Sequence, residues 1–105
     1  MVKNQNTSSV DPMNIYQSKS FGNKIRKFNK IQKSALDIEI RKIIANPDIG
    51  TEKKGDLKGV FIHKFKIKAS QYLLSYQHVS DGIELITIGA HENYYRSLKT
   101  YLKNR

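Results

Sequence analysis

The sequence contains no cysteine, which excludes a disulfide framework, a zinc–thiolate site and a thiol nucleophile. No segment approaches the roughly 20 apolar residues that a transmembrane helix needs, so a helical membrane protein is excluded as well. Lys3 is not followed by an apolar segment, and we therefore expect no secretory signal, no membrane partner and a cytoplasmic location. Walker A, GxGxxG, GxSxG, HExxH and zinc-finger spacings are missing, which disfavours nucleotide-dependent enzymes and most hydrolases.

Acidic residues are few: 9 Asp and Glu stand against 19 Lys and Arg, which gives a net charge of +10 at pH 7. This charge favours an anionic partner, either a nucleic acid or an acidic protein segment. The length of 105 residues corresponds to one domain with one small core. We expect a flexible N-terminal tail over residues 1–12, which are polar and aperiodic, and a single domain over residues 13–105. Met13 is an alternative start site, and the sequence does not decide between Met1 and Met13.

Two amphipathic helices are predicted in the N-terminal half, after a weakly indicated first strand in residues 13–18. One helical face is formed by apolar residues at spacings of three or four: Phe21, Ile25, Phe28 and Ile31. A second helix is expected to begin at an N-cap, Ser34, and to run to about Ala45, because the Asn46-Pro47 step disfavours helical backbone. The two helices would form a hairpin.

The C-terminal half has the period of two that is typical of strands, after a polar stretch that predicts a loop over residues 48–59. In the first of these strands, apolar side chains and His63 alternate with lysines. A hairpin turn is indicated by Ser80-Asp81-Gly82, an interior strand by residues 83–88 and a short helix by residues 91–102. The predicted order is β-α-α-β-β-β-α. This is an α+β domain with a curved antiparallel sheet packed on an N-terminal α-hairpin, and with a short C-terminal helix.

The lysines of the predicted strand are candidates for nucleic-acid binding. Lys64, Lys66 and Lys68 would project from one face about 7 Å apart, a spacing similar to that of successive phosphates. A second candidate surface is the basic face of the first helix, which carries Lys24, Lys27 and Lys30. Each row is equally compatible with a solvated outer face that binds no ligand.

The segment GAHENYYR, residues 89–96, is the other candidate for chemistry. His91 and Tyr95 are four residues apart and share a face if the segment is helical. A histidine can donate and accept a proton near pH 7, and a tyrosine hydroxyl can orient a phosphate or a 2′-hydroxyl. A helix-capping histidine and a core tyrosine would explain the same pattern. Because cysteine and a carboxylate cluster are both missing around His91, we expect neither a metal nor a cofactor.

Three segments of the C-terminal half resemble the RelE/ParE superfamily of bacterial toxins from type II toxin–antitoxin systems. They are DLKG at 56–59, HKFKIK to QYLLSY at 63–76, and ITIGAHENYYRSL at 86–98. The family pattern has leucine, a basic residue and glycine, then a basic strand, then a tyrosine–arginine strand, and last a glycine followed by a basic residue and a tyrosine. The order and the loop lengths agree. The resemblance covers about residues 13–103 and implies a RelE-like fold.

The resemblance also implies a RelE-type endoribonuclease that cleaves mRNA in the ribosomal A site. Lys64 and Lys66 would bind and activate the scissile phosphate. His91 would stabilise charge or donate a proton, and Tyr95 would be the base or the orienting group, with Tyr94 as the alternative if the register differs by one. A ribose 2′-hydroxyl would attack its own 3′-phosphate without a metal. Further candidate RNA-binding residues are Lys58, Lys68, Arg96, Lys24, Lys27 and Lys30.

Leu73 is the main departure from the family pattern, which has an arginine after the first tyrosine of that strand. Strand alternation places Leu73 on the same open face as the lysine row, so a charge is missing there. Either Lys66, Lys68 or Arg96 replaces it, or catalysis is weaker, or the chain is not a nuclease. The runner-up is a ParE-like poison of DNA gyrase without RNase activity. A plain nucleic-acid-binding module and an inactive toxin homologue are further alternatives.

Both hypotheses, the ribonuclease toxin and the gyrase poison, imply a partner. It is a cognate antitoxin whose acidic, partly disordered segment wraps the basic surface. The expected docking site is the apolar face of the helical hairpin or the groove between the hairpin and the sheet. Its candidate contacts are Phe21, Ile25 and Phe28. The family further implies that operator DNA is bound only through the antitoxin.

Overall fold

A computed structural model describes residues 13–90 and 94–105 of the chain. Its elements follow in the order β1 (Asn14–Gln17), α1 (Lys19–Ile25), α2 (Lys30–Ala45), β2 (Thr51–Glu52), a 3-10 helix (Gly55–Leu57), β3 (Val60–Ile67), β4 (Ser70–Val79), β5 (Gly82–Ala90) and α3 (Tyr94–Asn104). The helical hairpin, the three long strands and the last helix confirm the predicted α+β domain. The predicted loop before β3 contains two additional short elements. Within the described ranges, no helix is long and apolar enough to cross a membrane.

The five strands form one sheet in the spatial order β1-β5-β4-β3-β2. Strands β3, β4 and β5 form the predicted antiparallel meander. Strand β1 instead pairs in parallel with β5, so the sheet is mixed rather than purely antiparallel. This edge strand is fixed to the β4–β5 turn, because Asp81 Oδ2 accepts hydrogen bonds from Tyr16 Oη at 2.6 Å and from Asn14 Nδ2 at 3.0 Å.

The sheet separates two hydrophobic cores. The first lies under α1 and α2 and combines Phe21, Leu36 and Ile43 with apolar residues of β3, β4 and β5. The second lies under α3 and consists of Leu57, Val60, Ile62, Leu73, Ile86, Tyr94 and Leu98. Strand β3 extends beyond this second core, since its later residues Lys64 and Lys66 are exposed on the same face.

The helical hairpin differs from the predicted one in where its second helix begins. Helix α2 starts after Asn29, whose side chain accepts a hydrogen bond from Gln32 N while the Gln32 side chain accepts one from Asn29 N, both at 2.8 Å. This capping box satisfies two backbone N–H groups at once. The predicted N-cap at Ser34 is therefore wrong, and Ser34 lies inside α2. The new helix start also changes the helical phase, so that Ile31, predicted on the face of Phe21, is 58% exposed.

A side-chain hydrogen bond between His63 and Glu39 links α2 to β3 at the edge of the first core. His63 Nε2 lies 2.8 Å from Glu39 Oε1, and Lys42 Nζ lies 3.2 Å from Glu39 Oε2. Partial burial by itself raises the pKa of Glu39, but the hydrogen bonds from His63 and Lys42 outweigh it and hold the pKa below its ordinary value. His63 is thus a structural residue, as its place on the apolar strand face predicts.

Candidate nucleic-acid interface

The candidate site lies on the face of the sheet that α3 covers. Lys64 and Lys66 are exposed on β3, in the same alternation as the buried Ile62. Lys64 is the cross-strand partner of Leu73, and Leu73 is the partner of Gly89, so these three residues form one row across β3, β4 and β5. Both lysines therefore lie on the side opposite the helical hairpin, beside the strands on which α3 packs.

Lys68 does not continue this row. It lies in the turn between β3 and β4 with a φ of 56°, a left-handed backbone conformation that takes it out of the strand alternation. The prediction of three equally spaced lysines on one strand face is therefore wrong for Lys68. Together with Asn29 and Gln32 it lines a small cleft at the start of α2, where Lys30 is the first helical residue.

Tyr94 and Tyr95 begin α3 and have different environments. Tyr94 is 5% exposed, and its hydroxyl donates a hydrogen bond to Thr87 O at 3.0 Å. Burial raises the pKa of Tyr94 above its ordinary value, so this phenol keeps its proton. Tyr95 is half-buried and lies edge-on to Tyr94, with 5.7 Å between the ring centroids. Of the two tyrosines, Tyr95 is the one at the surface of the site.

The loop before β3 brings one lysine, Lys53, to Tyr95. Lys53 Nζ lies 4.9 Å from the centroid of the Tyr95 ring. Leu57 anchors the loop in the second core, and Gly59 has a φ of 88°, a conformation that glycine adopts without steric cost. The Leu57-Lys58-Gly59 motif therefore has a structural basis, because it anchors the loop, exposes Lys58 and turns the chain into β3.

Leu73 is fully buried in the second core, where Tyr94 and Leu98 of α3 cover it. Strand alternation correctly predicts that Leu73 faces the same way as Lys64. The face is not open at this position, however, because α3 packs on it, so that part of the prediction is wrong. An arginine here would carry its charge into an apolar environment, which is costly without a charged or hydrogen-bonding partner.

The remaining basic candidates do not form a single surface. Arg96 is exposed on α3, and Lys58 is exposed in the loop that packs under α3. The candidates of the helical hairpin are exposed on the opposite side of the sheet: Lys24, Lys27 and Lys30. The predicted RNA-binding set is thus divided between the two sides of the molecule.

His91 lies outside the described residues, and its role stays a prediction. His63 is paired with Glu39, and His78 Nε2 lies 3.6 Å from Asp48 Oδ1 at an exposed end of the sheet. In the part of the chain that the structure describes, no group of three or more histidine or acidic side chains is arranged to hold a metal ion.

The apolar residues predicted to contact an antitoxin lie in or beside the first core. Phe21 is 1% exposed and packs against the sheet, so the fold itself already covers this side chain and it is not available as a surface contact. Ile25 and Phe28 are partly buried beside it. The large apolar side chains of α2 that are exposed are instead Ile31, Ile38 and Ile44.

Lys53 is a residue of the site that sequence reasoning missed. It lies in a stretch without apolar periodicity, which predicts only a loop. The Lys53-Lys54 pair is a local signal of positive charge, but it does not distinguish the two lysines. Only the packing of α3 against the loop shows that Lys53 is the one in contact with Tyr95.

Comparison with solved structures identifies the class of fold. A chain of the intact E. coli RelBE toxin–antitoxin complex is 20% identical, with a TM-score of 0.62, and the match covers 76% of this chain and 98% of that one. A mutant of the E. coli toxin RelE in the free state is 16% identical, with a TM-score of 0.68 and coverage of 89% and 98%. The YoeB/ParE toxin from Agrobacterium tumefaciens is 17% identical, with a TM-score of 0.55 and coverage of 75% and 99%. The fold is therefore that of the RelE/ParE toxins.

A sequence-family model identifies the family. The model for the ParE-like toxin of type II bacterial toxin–antitoxin systems matches residues 15–99. Because this match spans most of the chain, the protein belongs to the ParE-like toxin family, within the RelE/ParE superfamily, and is a toxin of the type II class. A search of curated proteins finds no match.

Proposed function

We propose that the protein is an endoribonuclease toxin that cleaves mRNA in the ribosomal A site. The observation that carries the proposal is the position of Lys64 and Lys66. Both are exposed on the sheet face on which α3 packs, and Tyr95 lies at the edge of the second core on that face. Two ammonium groups about 7 Å apart on one strand face suit the phosphates of a nucleic-acid strand. The chain shares the fold of RelE chains, to which it is 16% and 20% identical, and this shared fold supports the proposal.

In the proposed reaction, a ribose 2′-oxygen attacks the adjacent 3′-phosphorus, which forms a 2′,3′-cyclic phosphate and releases the 5′-oxygen. Lys64 and Lys66 stabilise the negative charge on the non-bridging oxygens. Tyr95 accepts or orients the proton of the 2′-hydroxyl, and His91 donates a proton to the leaving oxygen. Flanking phosphates bind to Lys58 and Arg96, which are exposed on the same side of the sheet. Each role is filled by a side chain of this chain, so the reaction calls for no metal and no cofactor.

A specific observation favours a second function, the poisoning of DNA gyrase. Leu73 stands where the RelE/ParE family pattern has an arginine, and it is fully buried, so the catalytic set of a ribonuclease lacks one charge. The family model is also one for ParE-like toxins. A toxin that binds gyrase would not need a complete catalytic set, and the missing charge is then without consequence.

We further propose that a cognate antitoxin with an acidic, partly disordered segment neutralises the toxin. The net charge of +10 favours such a partner. Proteins of the same fold are found in the RelBE complex and in a complex of a RelE mutant with an antitoxin peptide. Ile25 and Phe28, half-buried at the edge of the helical layer, remain candidate contacts, whereas Phe21 does not. Operator DNA would be bound only through the antitoxin.

Cleavage of a defined mRNA, mapped by primer extension on programmed ribosomes and on naked RNA, tests the proposed activity. We expect cuts at A-site codons that require ribosomes and are lost when Lys64 and Lys66 are both replaced by alanine. Lys33→Ala is the matched control, because Lys33 is also exposed but lies on α2. His91→Ala and Tyr95→Phe test the two remaining roles.

The alternative predicts a different set of results. If neither substrate is cut although the protein arrests growth, the ribonuclease proposal is refuted. Inhibition of gyrase supercoiling by the purified toxin would then be expected. If growth is normal at high soluble expression without an antitoxin, both functions fail.

A further inference from the structure

Lys53 is held by hydrogen bonding of its backbone, and its side chain contacts Tyr95. Its N–H donates a hydrogen bond to Val60 O at 2.8 Å, and it forms an isolated β-bridge with Lys58. The residue is half-buried, and its Nζ lies 4.9 Å from the centroid of the Tyr95 ring. This distance is inside the range of about 6 Å over which a cation and an aromatic face attract each other. Lys53 thus differs from a freely solvated surface lysine.

A second contact restrains the Tyr95 ring from within α3. The ring of Tyr94 is nearly perpendicular to it, at an interplanar angle of 87°. Tyr94 is itself held by its buried hydrogen bond to Thr87 O. The orientation of Tyr95 therefore depends on α3 through Tyr94 and on the loop before β3 through Lys53.

We propose that Lys53 is a positioning residue of the site. Its ammonium group holds the Tyr95 ring in the orientation that presents the phenol hydroxyl to the RNA. This inference rests on the proposed ribonuclease function. Because Lys53 acts through Tyr95, its loss lowers the rate of cleavage at saturation and leaves the affinity for the substrate nearly unchanged.

The test compares three variants for cleavage of mRNA on programmed ribosomes at increasing ribosome concentration. Lys53→Met keeps most of the aliphatic stem and removes the charge. We expect a kcat lowered by roughly tenfold to a hundredfold, since a displacement of about 1 Å in a reacting group can cost about a hundredfold, with a KM within about twofold of the wild type. Lys53→Arg, which restores a cation, should recover most of the rate. Lys54→Met is the matched control, because Lys54 is the exposed neighbouring lysine, and it should behave as the wild type.

A double-mutant cycle and an NMR measurement separate positioning from a general structural effect. In a Tyr95→Phe background, Lys53→Met should cause no further loss of rate. In the wild type, the ε-methylene protons of Lys53 should show an upfield ring-current shift that disappears in Tyr95→Leu. Absence of that shift refutes the contact, whatever the activity of the protein.

The outcomes distinguish this inference from the proposed function. If the wild type cleaves and Lys53→Met cleaves equally well, the inference is wrong and the ribonuclease function stands. If Lys54→Met lowers the kcat as much as Lys53→Met does, the loop acts as a general basic surface and the inference is again wrong. If the wild type cleaves no RNA, the ribonuclease function fails, and the role of Lys53 in it fails with it.

Discussion

Tyr94 and Tyr95 are adjacent in the chain, yet Tyr94 is buried in the second core and Tyr95 is half-buried at its edge. Tyr94 donates its hydrogen bond inside the protein, to Thr87 O. We therefore expect Tyr94→Phe to lower the free energy of unfolding by about 1 kcal/mol, the usual contribution of such a hydrogen bond, and to leave toxicity intact. Tyr95→Phe should do the reverse. Urea denaturation and growth arrest on induction measure the two effects, and a stable but non-toxic Tyr94→Phe would contradict the assignment.

Leu73 allows a direct test of the missing family arginine. Its side chain is fully buried beneath α3, so the substitution Leu73→Arg places a charge in an apolar core. We expect a loss of stability of roughly 3 kcal/mol or more, since an unpaired buried charge is not compensated. Leu73→Met, of similar volume, is the control and should cost little. A Leu73→Arg variant that is stable and more active would show that the arginine position is open after all.

Residue patterns determined the direction of these side chains but not their exposure. The period of two correctly assigned Lys64, Lys66 and Leu73 to one face, because a strand's geometry alternates regardless of what packs on it. Whether a position on that face is open depends on where α3 packs, and that is a long-range property. The pattern misplaced Lys68 for a local reason, since its left-handed backbone belongs to the turn after β3, which ends at Ile67.

At the scale of elements, the contact of α2 with β3 includes Glu39, a carboxylate whose charge responds to pH. The folded-state pKa of Glu39 is below its ordinary value of 4.5, so the unfolded chain binds this proton more readily than the folded one. The stabilisation is therefore present above the unfolded pKa and is lost as the pH falls below about 4.5 through the folded value. Glu39→Gln should reduce stability at pH 7 by about 1–2 kcal/mol and flatten the acid side of the stability curve.

The control for this prediction lies on the same helix. Asp37 pairs with Arg41 at 3.1 Å, but the two side chains are 59% and 77% exposed. Exposed pairs of this kind contribute little, so Asp37→Asn should leave both stability and its pH dependence nearly unchanged. Thermal unfolding from pH 3 to 8 compares the variants. Equal acid sensitivity of Glu39→Gln and the wild type would mean that other carboxylates govern the acid limb.

The elements themselves were predictable where a pattern is long and less so where two signals compete. The meander of β3, β4 and β5 follows from alternation and from the Ser80-Asp81-Gly82 turn. The start of α2 was misplaced because Ser34 is a good N-cap residue by type, whereas Asn29 with Gln32 satisfies two backbone groups. The parallel pairing of β1 depends on contacts with Asp81, 65 and 67 residues away in sequence, which no local pattern reveals.

At the scale of the whole molecule, the net charge of +10 is distributed over both sides of the sheet. Basic residues of the helical hairpin lie on one side, and Lys58, Lys64, Lys66 and Arg96 lie on the other. A uniformly basic protein binds RNA through long-range attraction alone, with no defined site. The proposed site requires specific contacts: phosphates must bind on the side of the sheet that α3 covers and not on the side of the helical hairpin.

The salt dependence of RNA binding distinguishes these two situations. Lys64→Ala and Lys33→Ala each reduce the net charge from +10 to +9, so they alter the overall attraction equally. A direct phosphate contact in addition releases counterions, and its loss should reduce the slope of log K against log salt by about 0.7 for a single strand. We expect this reduction for Lys64→Ala and an unchanged slope for Lys33→Ala, measured by fluorescence anisotropy with a labelled RNA oligonucleotide. Equal slopes for both variants would place the RNA on the whole surface, and the α3 side would then have no special role in binding.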